Sequence, residues 1–293
     1  MKKNKIWMSS ILAAAMVLSM TGCGASPAED TATQTRSAEE YVTEAAQTLT
    51  EAGSYAGTLK VVSRMDDNED SMAAEIAMIE EPLQMKVDIE NMFSGQSVRT
   101  QTYLTEKNED EVSMYMNYGE EWTEMSLTAE MALQSMQIYD VRENLLLALE
   151  KGQDWTQSGA QDDQVTLSGV IPAAAVYEVV NGGSLLQFSG MSGIGENYYT
   201  DVEDVPVTLV LEEETGEPVS CTLELTKVQQ KVTDNVMREL QSESGGVTVQ
   251  EYQVTMDISQ IDEVKEVAVP AEASSAINYE KEISYNMNED QAS

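Results

Sequence analysis

From Ser54 to Leu127 apolar side chains recur at every second residue. Tyr55, Gly57, Leu59 and Val61 alternate with Ala56, Thr58, Lys60 and Val62, and Met72, Ala74, Ile76 and Met78 repeat the pattern. Leu83, Met85, Val87 and Ile89 do so again, against Lys86, Asp88 and Glu90. A period of two puts one set of side chains on each face of a pleated strand. Residues 98–104, 112–118 and 122–127 continue the series, divided by the polar clusters 66–70, 106–110 and 119–121. The pattern predicts an antiparallel meander of about six strands with one apolar and one solvated face.

Elsewhere the period lengthens. Ser37 with Glu40 three residues on forms a capping box, and Tyr41, Val42, Ala45 and Leu49 follow at helical spacing until Gly53, which predicts a helix over 38–51. A second helical stretch starts at Thr128, with Met131, Ala132, Met136 and Tyr139 on one side. A third runs over 141–151, capped by Asp140 with Glu143 and stopped by Gly152. Its run Leu145-Leu146-Leu147-Ala148-Leu149 exceeds what one core-facing stripe needs, as expected of a helix wedged between the sheet and a further apolar layer.

Trp155 and the alternation Val165, Leu167, Gly169, Ile171 predict a strand pair, after which Pro172 opens a helix over 173–180. Residues 181–204, rich in Gly and Ser, read as a long loop with one short helix. Strands then return at 205–211, 219–225 and 252–258. Between the last two, Val228, Val232, Val236 and Leu240 fit either a helix or a long polar hairpin. The tail after Pro270 is acidic and poor in apolar residues, and reads as loosely held.

The first residues carry a different signal. Lys2, Lys3 and Lys5 precede an apolar run, Ile6 through Leu18, that ends in Met20-Thr21-Gly22-Cys23. A spanning helix needs roughly 20 apolar residues to cross about 30 Å of hydrocarbon. This run is shorter and gives way to small residues, the order of a cleaved secretory signal. Residues 20–23 resemble the bacterial lipobox, an aliphatic residue, two small residues and Cys. The resemblance implies cleavage between Gly22 and Cys23 and acylation of the Cys23 sulfur. Two chains contributing about 0.8 kcal/mol per buried methylene suffice for stable anchoring. Residues 24–35, small and polar, would be the tether.

Charge leaves the anchor to the acyl chains. Residues 1–22 hold three lysines and no acid, so their removal takes the formal net charge from −36 to −39. Such a surface repels phosphate backbones and anionic headgroups, so nucleic acid is not an expected partner. With Cys23 acylated, Cys221 has no partner for a disulfide. Its alternation with Val219, Leu223 and Leu225 places it as a small buried hydrophobe.

Candidate chemistry is sparse. The chain has no histidine, which removes Ser-His and Cys-His nucleophile systems and most zinc sites. No lysine has a serine three residues before it. Gly190-Met191-Ser192-Gly193-Ile194 lacks the closing Gly of a nucleophile elbow, and Gly193-Ile194-Gly195 lacks the third Gly of a phosphate cradle. Asp66, Asn68 and Asp70 match the opening ligands of a calcium loop, but Ser71 and Ala77 stand where its Gly and Glu belong. A solvated hairpin tip is the expectation there. The sequence points to no catalytic residue, metal or cofactor, and to a protein that is not an enzyme.

Eighteen methionines against two phenylalanines give an interior of flexible side chains, which can adapt to varied apolar shapes or simply fill a core. The order of elements, a helix, a six-stranded meander, apolar helices and a returning sheet behind a lipid anchor, resembles the LolA-like half-open β-barrels, which include the LppX and LprG type lipoproteins. The segment Met114-Tyr115-Met116-Asn117-Tyr118-Gly119-Glu120-Glu121-Trp122-Thr123-Glu124-Met125 is similar to a recurrent pattern in uncharacterised lipoproteins of Gram-positive bacteria.

This resemblance implies an α+β fold, a largely antiparallel curved sheet wrapped on a few helices, over 37–270. Residues 1–22 would be the signal, 23–36 the acylated Cys and tether, and 271–293 the tail. It also implies an apolar cavity for a lipid or other hydrophobic ligand, with Met72, Met78, Met85, Met114, Met116, Leu145 and Leu149 as candidate lining. The expected location is the outer face of the cytoplasmic membrane, and the alternative role is a non-catalytic protein-interaction module of the envelope. In cells supplied with labelled palmitate the protein should incorporate label, and Cys23→Ala should abolish both incorporation and membrane retention.

Overall fold

The computed structural model describes residues 36–278, apart from 120, 192 and 241–245. The signal, Gly22, Cys23 and nearly all of the tether lie outside the described residues. Helix α1, Ala38–Glu51, begins where Ser37 Oγ accepts from the Glu40 N–H at 3.2 Å and Glu40 Oε2 accepts from the Ser37 N–H at 2.7 Å. Tyr41, Ala45 and Leu49, four apart, are its buried stripe.

The meander follows as β1 (Ser54–Met65), β2 (Asn68–Ile79), β3 (Gln84–Phe93), β4 (Gln96–Asn108), β5 (Glu111–Asn117) and β6 (Trp122–Leu127). Next come α2 (Ala129–Ser135), a 3-10 turn at Gln137–Tyr139 and α3 (Val141–Lys151). The hairpin β7 (Gln153–Gln161) and β8 (Gln164–Ile171) leads into α4 (Ala173–Gly182). Strands β9 (Val205–Glu212) and β10 (Pro218–Glu224), helix α5 (Thr226–Glu239) and strand β11 (Val249–Ser259) complete the domain, and the two-residue β12 (Ile277–Asn278) ends it.

All twelve strands form one curved open sheet in the order β12-β6-β5-β4-β3-β2-β1-β11-β10-β9-β8-β7. The pairing of β1 with β11 joins the meander to the C-terminal strands. Every pairing is antiparallel except that of β12 with β6. The fold is thus α+β, with a largely antiparallel sheet bent round its helices.

Register decides which side chains go inward. Leu59 lies opposite Ala74 and Met256, Met78 opposite Met85, Leu104 opposite Met114, and Cys221 opposite Leu209 and Met256. These belong to one continuous core with α1, α3, α4 and α5. The opposite face carries Thr58, Lys60, Glu75, Asp88, Gln101 and Asp257. There Asp88 accepts from Arg99 Nε at 2.8 Å and Gln101 Nε2 at 3.2 Å, and these bonds with Arg99 hold its carboxyl below the usual carboxylate range.

Helix α3 has the position its surplus of leucine suggested. Val141, Leu145, Ala148 and Leu149 are buried, Leu146 and Leu147 are half-buried, and its neighbours are α1, α4, β1 and β11. Polar bolts fix it. Asp140 caps the helix by accepting from the Glu143 N–H at 3.0 Å and also accepts from the Tyr55 hydroxyl at 2.9 Å. Arg142 donates to the Ala52 carbonyl at 2.8 Å and pairs with Glu80 at 2.5 Å. Burial, then the Asp140 carboxylate, push the Tyr55 phenol well above its ordinary value, so it stays a donor.

Three sequence expectations are refined. The stretch after β10 is the helix, not the hairpin: Val228 and Val232 are buried with Gln229, whose carbonyl accepts from Thr233 Oγ1 at 2.7 Å. Residues 181–204 contain two 3-10 turns, Gln187–Ser189 and Glu196–Tyr199. The start of the tail is structured rather than loose, since Ala271–Ser275 forms a 3-10 turn and β12 pairs with β6.

The hairpin tip at Asp66 spends its oxygens on backbone. Asp66 Oδ1 accepts from the Thr248 N–H at 2.9 Å and Asp70 Oδ1 from the Ser94 N–H at 3.0 Å, while Asn68 opens β2. Leu145→Ala, which empties a fully buried site beneath α3, should lower the unfolding free energy by about 2–5 kcal/mol in urea titration, and Leu133→Ala on the exposed side of α2 by less than about 1.

Candidate functional site at the open end of the inner face

Exposure along the inner face rises from one end of the meander to the other. On β3 it goes from Met85 at 1% and Val87 at 0% to Phe93 at 44%, and on β4 from Leu104 at 1% to Val98 at 49%. On β5 Val112 is 0% and Met114 6% exposed, Met116 is half-buried, and Tyr118 just beyond the strand is 69% exposed. Between the buried residues and these exposed ones the inward positions are Asn91 on β3 and Thr102 and Thr100 on β4, after which apolar side chains return. The result is an apolar mouth at the free ends of β3, β4 and β5.

Two phenylalanines mark one side of it, and they are the only two in the chain. Phe93, at the tip of the β3–β4 hairpin, stacks on Phe188 with ring centroids 5.4 Å apart and planes 18° apart. Phe188 is held in place by its loop. The Tyr252 hydroxyl donates to the Leu185 carbonyl at 2.8 Å, and Ser189 Oγ to Gln229 Oε1 at 3.3 Å. Gly190, at φ +75°, turns the chain back.

On the other side the Tyr118 hydroxyl reaches Met116 Sδ at 3.4 Å. It also lies close enough to Tyr139 to push that phenol up, adding to the larger effect of burial. Phenol, thioether and aromatic side chains make up this rim.

Of the seven candidate lining residues, the five methionines lie on the inner face of the sheet and Leu145 and Leu149 on α3, and they divide by depth. Met72, Met78, Met85, Met114, Leu145 and Leu149 are packed into the core. Only Met116 stands at the mouth, half-buried. Sequence reasoning missed Phe93, Val98, Tyr118 and Phe188. The available signal was that Phe93 falls in phase with Val87 and Ile89, together with the rarity of Phe.

The outer face offers less chemistry. Its groove of about 610 Å³ spans strands β1, β2, β3, β8, β9, β10 and β11. Its carboxylates are Glu75 and Asp257, and Asp257 is occupied by Thr58 Oγ1 at 2.7 Å and Lys60 Nζ at 2.8 Å. No Trp or Tyr lines it. Cys221 is fully buried, and burial pushes its thiol up to about 12, which keeps it protonated and unreactive. No helix among the described residues is long and apolar enough to cross a membrane.

No family model matches the chain, and no curated protein matches it by sequence. Among solved structures it is similar to the lipoprotein LppX of Mycobacterium tuberculosis, at 10% identity and a TM-score of 0.41, over 79% of this chain and 98% of that one. It is also similar to LprF of Mycobacterium bovis, at 14% identity and a TM-score of 0.46, over 80% of this chain and 97% of that one. Phe93→Ala should speed amide exchange over the 187–189 turn and cost about 0.5–1.5 kcal/mol beyond the area it uncovers, leaving the exchange of β1 and β11 unchanged.

Proposed function

We propose that this protein is a non-catalytic lipoprotein, anchored through acylated Cys23 to the outer face of the cytoplasmic membrane, that takes the apolar part of a hydrophobic or amphiphilic ligand at the mouth of its half-barrel. The observation that carries the reading is the inner-face exposure gradient, ending in Phe93, Val98 and Tyr118. These side chains sit on strands whose inward residues Met85, Val87, Leu104, Val112 and Met114 are buried, and leaving Phe93, Val98 and Tyr118 in water forgoes about 25 cal/mol for each Å² a ligand would cover. The segment 114–125, which lies on β5 and β6, carries the resemblance to Gram-positive lipoproteins.

The close packing of the methionine cluster favours a second reading. With Met78, Met85 and Met114 each at most 6% exposed, a long ligand would have to displace packed side chains, whereas a partner protein would need only the rim. The mouth would then dock an apolar segment of another envelope protein.

Gentle extraction followed by native mass spectrometry and dye displacement tests the first reading. The wild-type chain should carry or take up lipid and release a bound hydrophobic dye to it. Phe93→Asp with Tyr118→Asp should weaken that binding at least about tenfold at unchanged melting temperature. Absence of lipid and of dye displacement, together with one dominant protein crosslinked through position 93 or 118, would establish the second reading instead.

A further inference from the structure

One inward position at the mouth carries a charge. Along β2, Met72 and Ala74 are buried, and the same period of two puts Asp70 on the inner side. Its partner on β1 is Ser63, and on β3 it comes beside Phe93, one step past the pair of Ser71 with Met92. Opposite side chains on neighbouring strands start about 5 Å apart, so a carboxylate, a ring and a hydroxyl share one row.

Each of the three keeps unused capacity. Asp70 is half-buried, its Oδ1 accepts from the Ser94 N–H at 3.0 Å, and it forms no ion pair among the described residues. The cations of the adjoining strand ends are committed elsewhere, Arg64 to Glu69 at 3.3 Å and Glu251 at 3.0 Å, and Arg99 to Asp88 on the outer face. Ser63 is 2% exposed, yet its Oγ has no hydrogen-bond partner among the described residues. A buried hydroxyl left this way costs free energy that a ligand group can recover. Phe93 stays 44% exposed while it stacks on Phe188.

Together these groups suit an ammonium ion, which donates to carboxylate and hydroxyl oxygens and is drawn to ring faces. Asp66, Asp67 and Glu69 on the same hairpin deepen the negative potential, which opposes a phosphate or carboxylate head. We propose that the ligand of the mouth is a cationic amphiphile, its ammonium group held by Asp70 beside Ser63 and Phe93 and its alkyl chain laid against Val98, Met116 and Tyr118. This rests on the ligand reading above and adds the charge of the head group.

Dye displacement from the full mature chain tests it with dodecylamine, dodecyl maltoside and laurate, three head groups on matched chains, each below its micelle concentration. Dodecylamine should displace a neutral hydrophobic dye at least about tenfold more tightly than the other two, and Asp70→Asn, which keeps the oxygen that accepts from Ser94, should cancel that advantage. Asp67→Asn removes the same charge from the exposed tip of the hairpin and should change it by less than about twofold. A lysine-rich peptide should leave the dye in place. Equal or tighter binding of the maltoside or of laurate would overturn the proposal and leave the ligand reading standing, as would equal effects of the two Asn variants. Displacement by the peptide would assign the acidic end to a basic protein partner and overturn it too. If none of the three amphiphiles displaced the dye, the ligand reading itself would fall, and the proposal with it.

Discussion

A twelve-stranded sheet with one apolar face must remove that face from water, and the helices of this chain do so for most of its area but not all of it. Helix α3 lies over β1 and β11, held there by Asp140 bonded to Tyr55 and by Arg142 bonded to Ala52 and Glu80. Helix α5 packs on β11 and α2 on β5 and β6. At the free ends of β3, β4 and β5, beyond the inward Asn91 and Thr100, apolar Phe93, Val98 and Tyr118 are left exposed. The dry centre and the open mouth are two ends of the same face, and the ligand reading rests on that one mismatch between strand length and helix cover.

The meander was legible because a single buried face forces a strict period of two, and the pairings show every strand of 54–127 in the place the alternation indicates. Helices α1 and α3 were legible for a local reason, since Ser37 and Asp140 cap them within three residues of themselves. Helix α5 was ambiguous because Val228, Val232 and Val236 are β-branched residues at helical spacing, so propensity and period disagree. Burial of Gln229 and Thr233 beneath the loop of 185–191 resolves it, and nothing local encodes that contact.

The mouth was only half legible. Its residues obey the same alternation as the core, and no sequence pattern states where covering helices end. The methionines picked out by their number proved to be mostly interior, and Met116 alone reaches the rim. Phe93 and Phe188, 95 positions apart in the chain, meet through the fold of a glycine-rich loop that propensity describes merely as irregular.

Methionine also supplies the probes that decide the matter. With methyl-labelled methionine, titration with a single-chain lipid should move the Met116 resonance at the mouth and leave Met78 and Met85, deep on the same face, unmoved, together with Met92 on the outer face. A shift confined to Met92, or no shift at Met116 while lipid binds, would contradict the account.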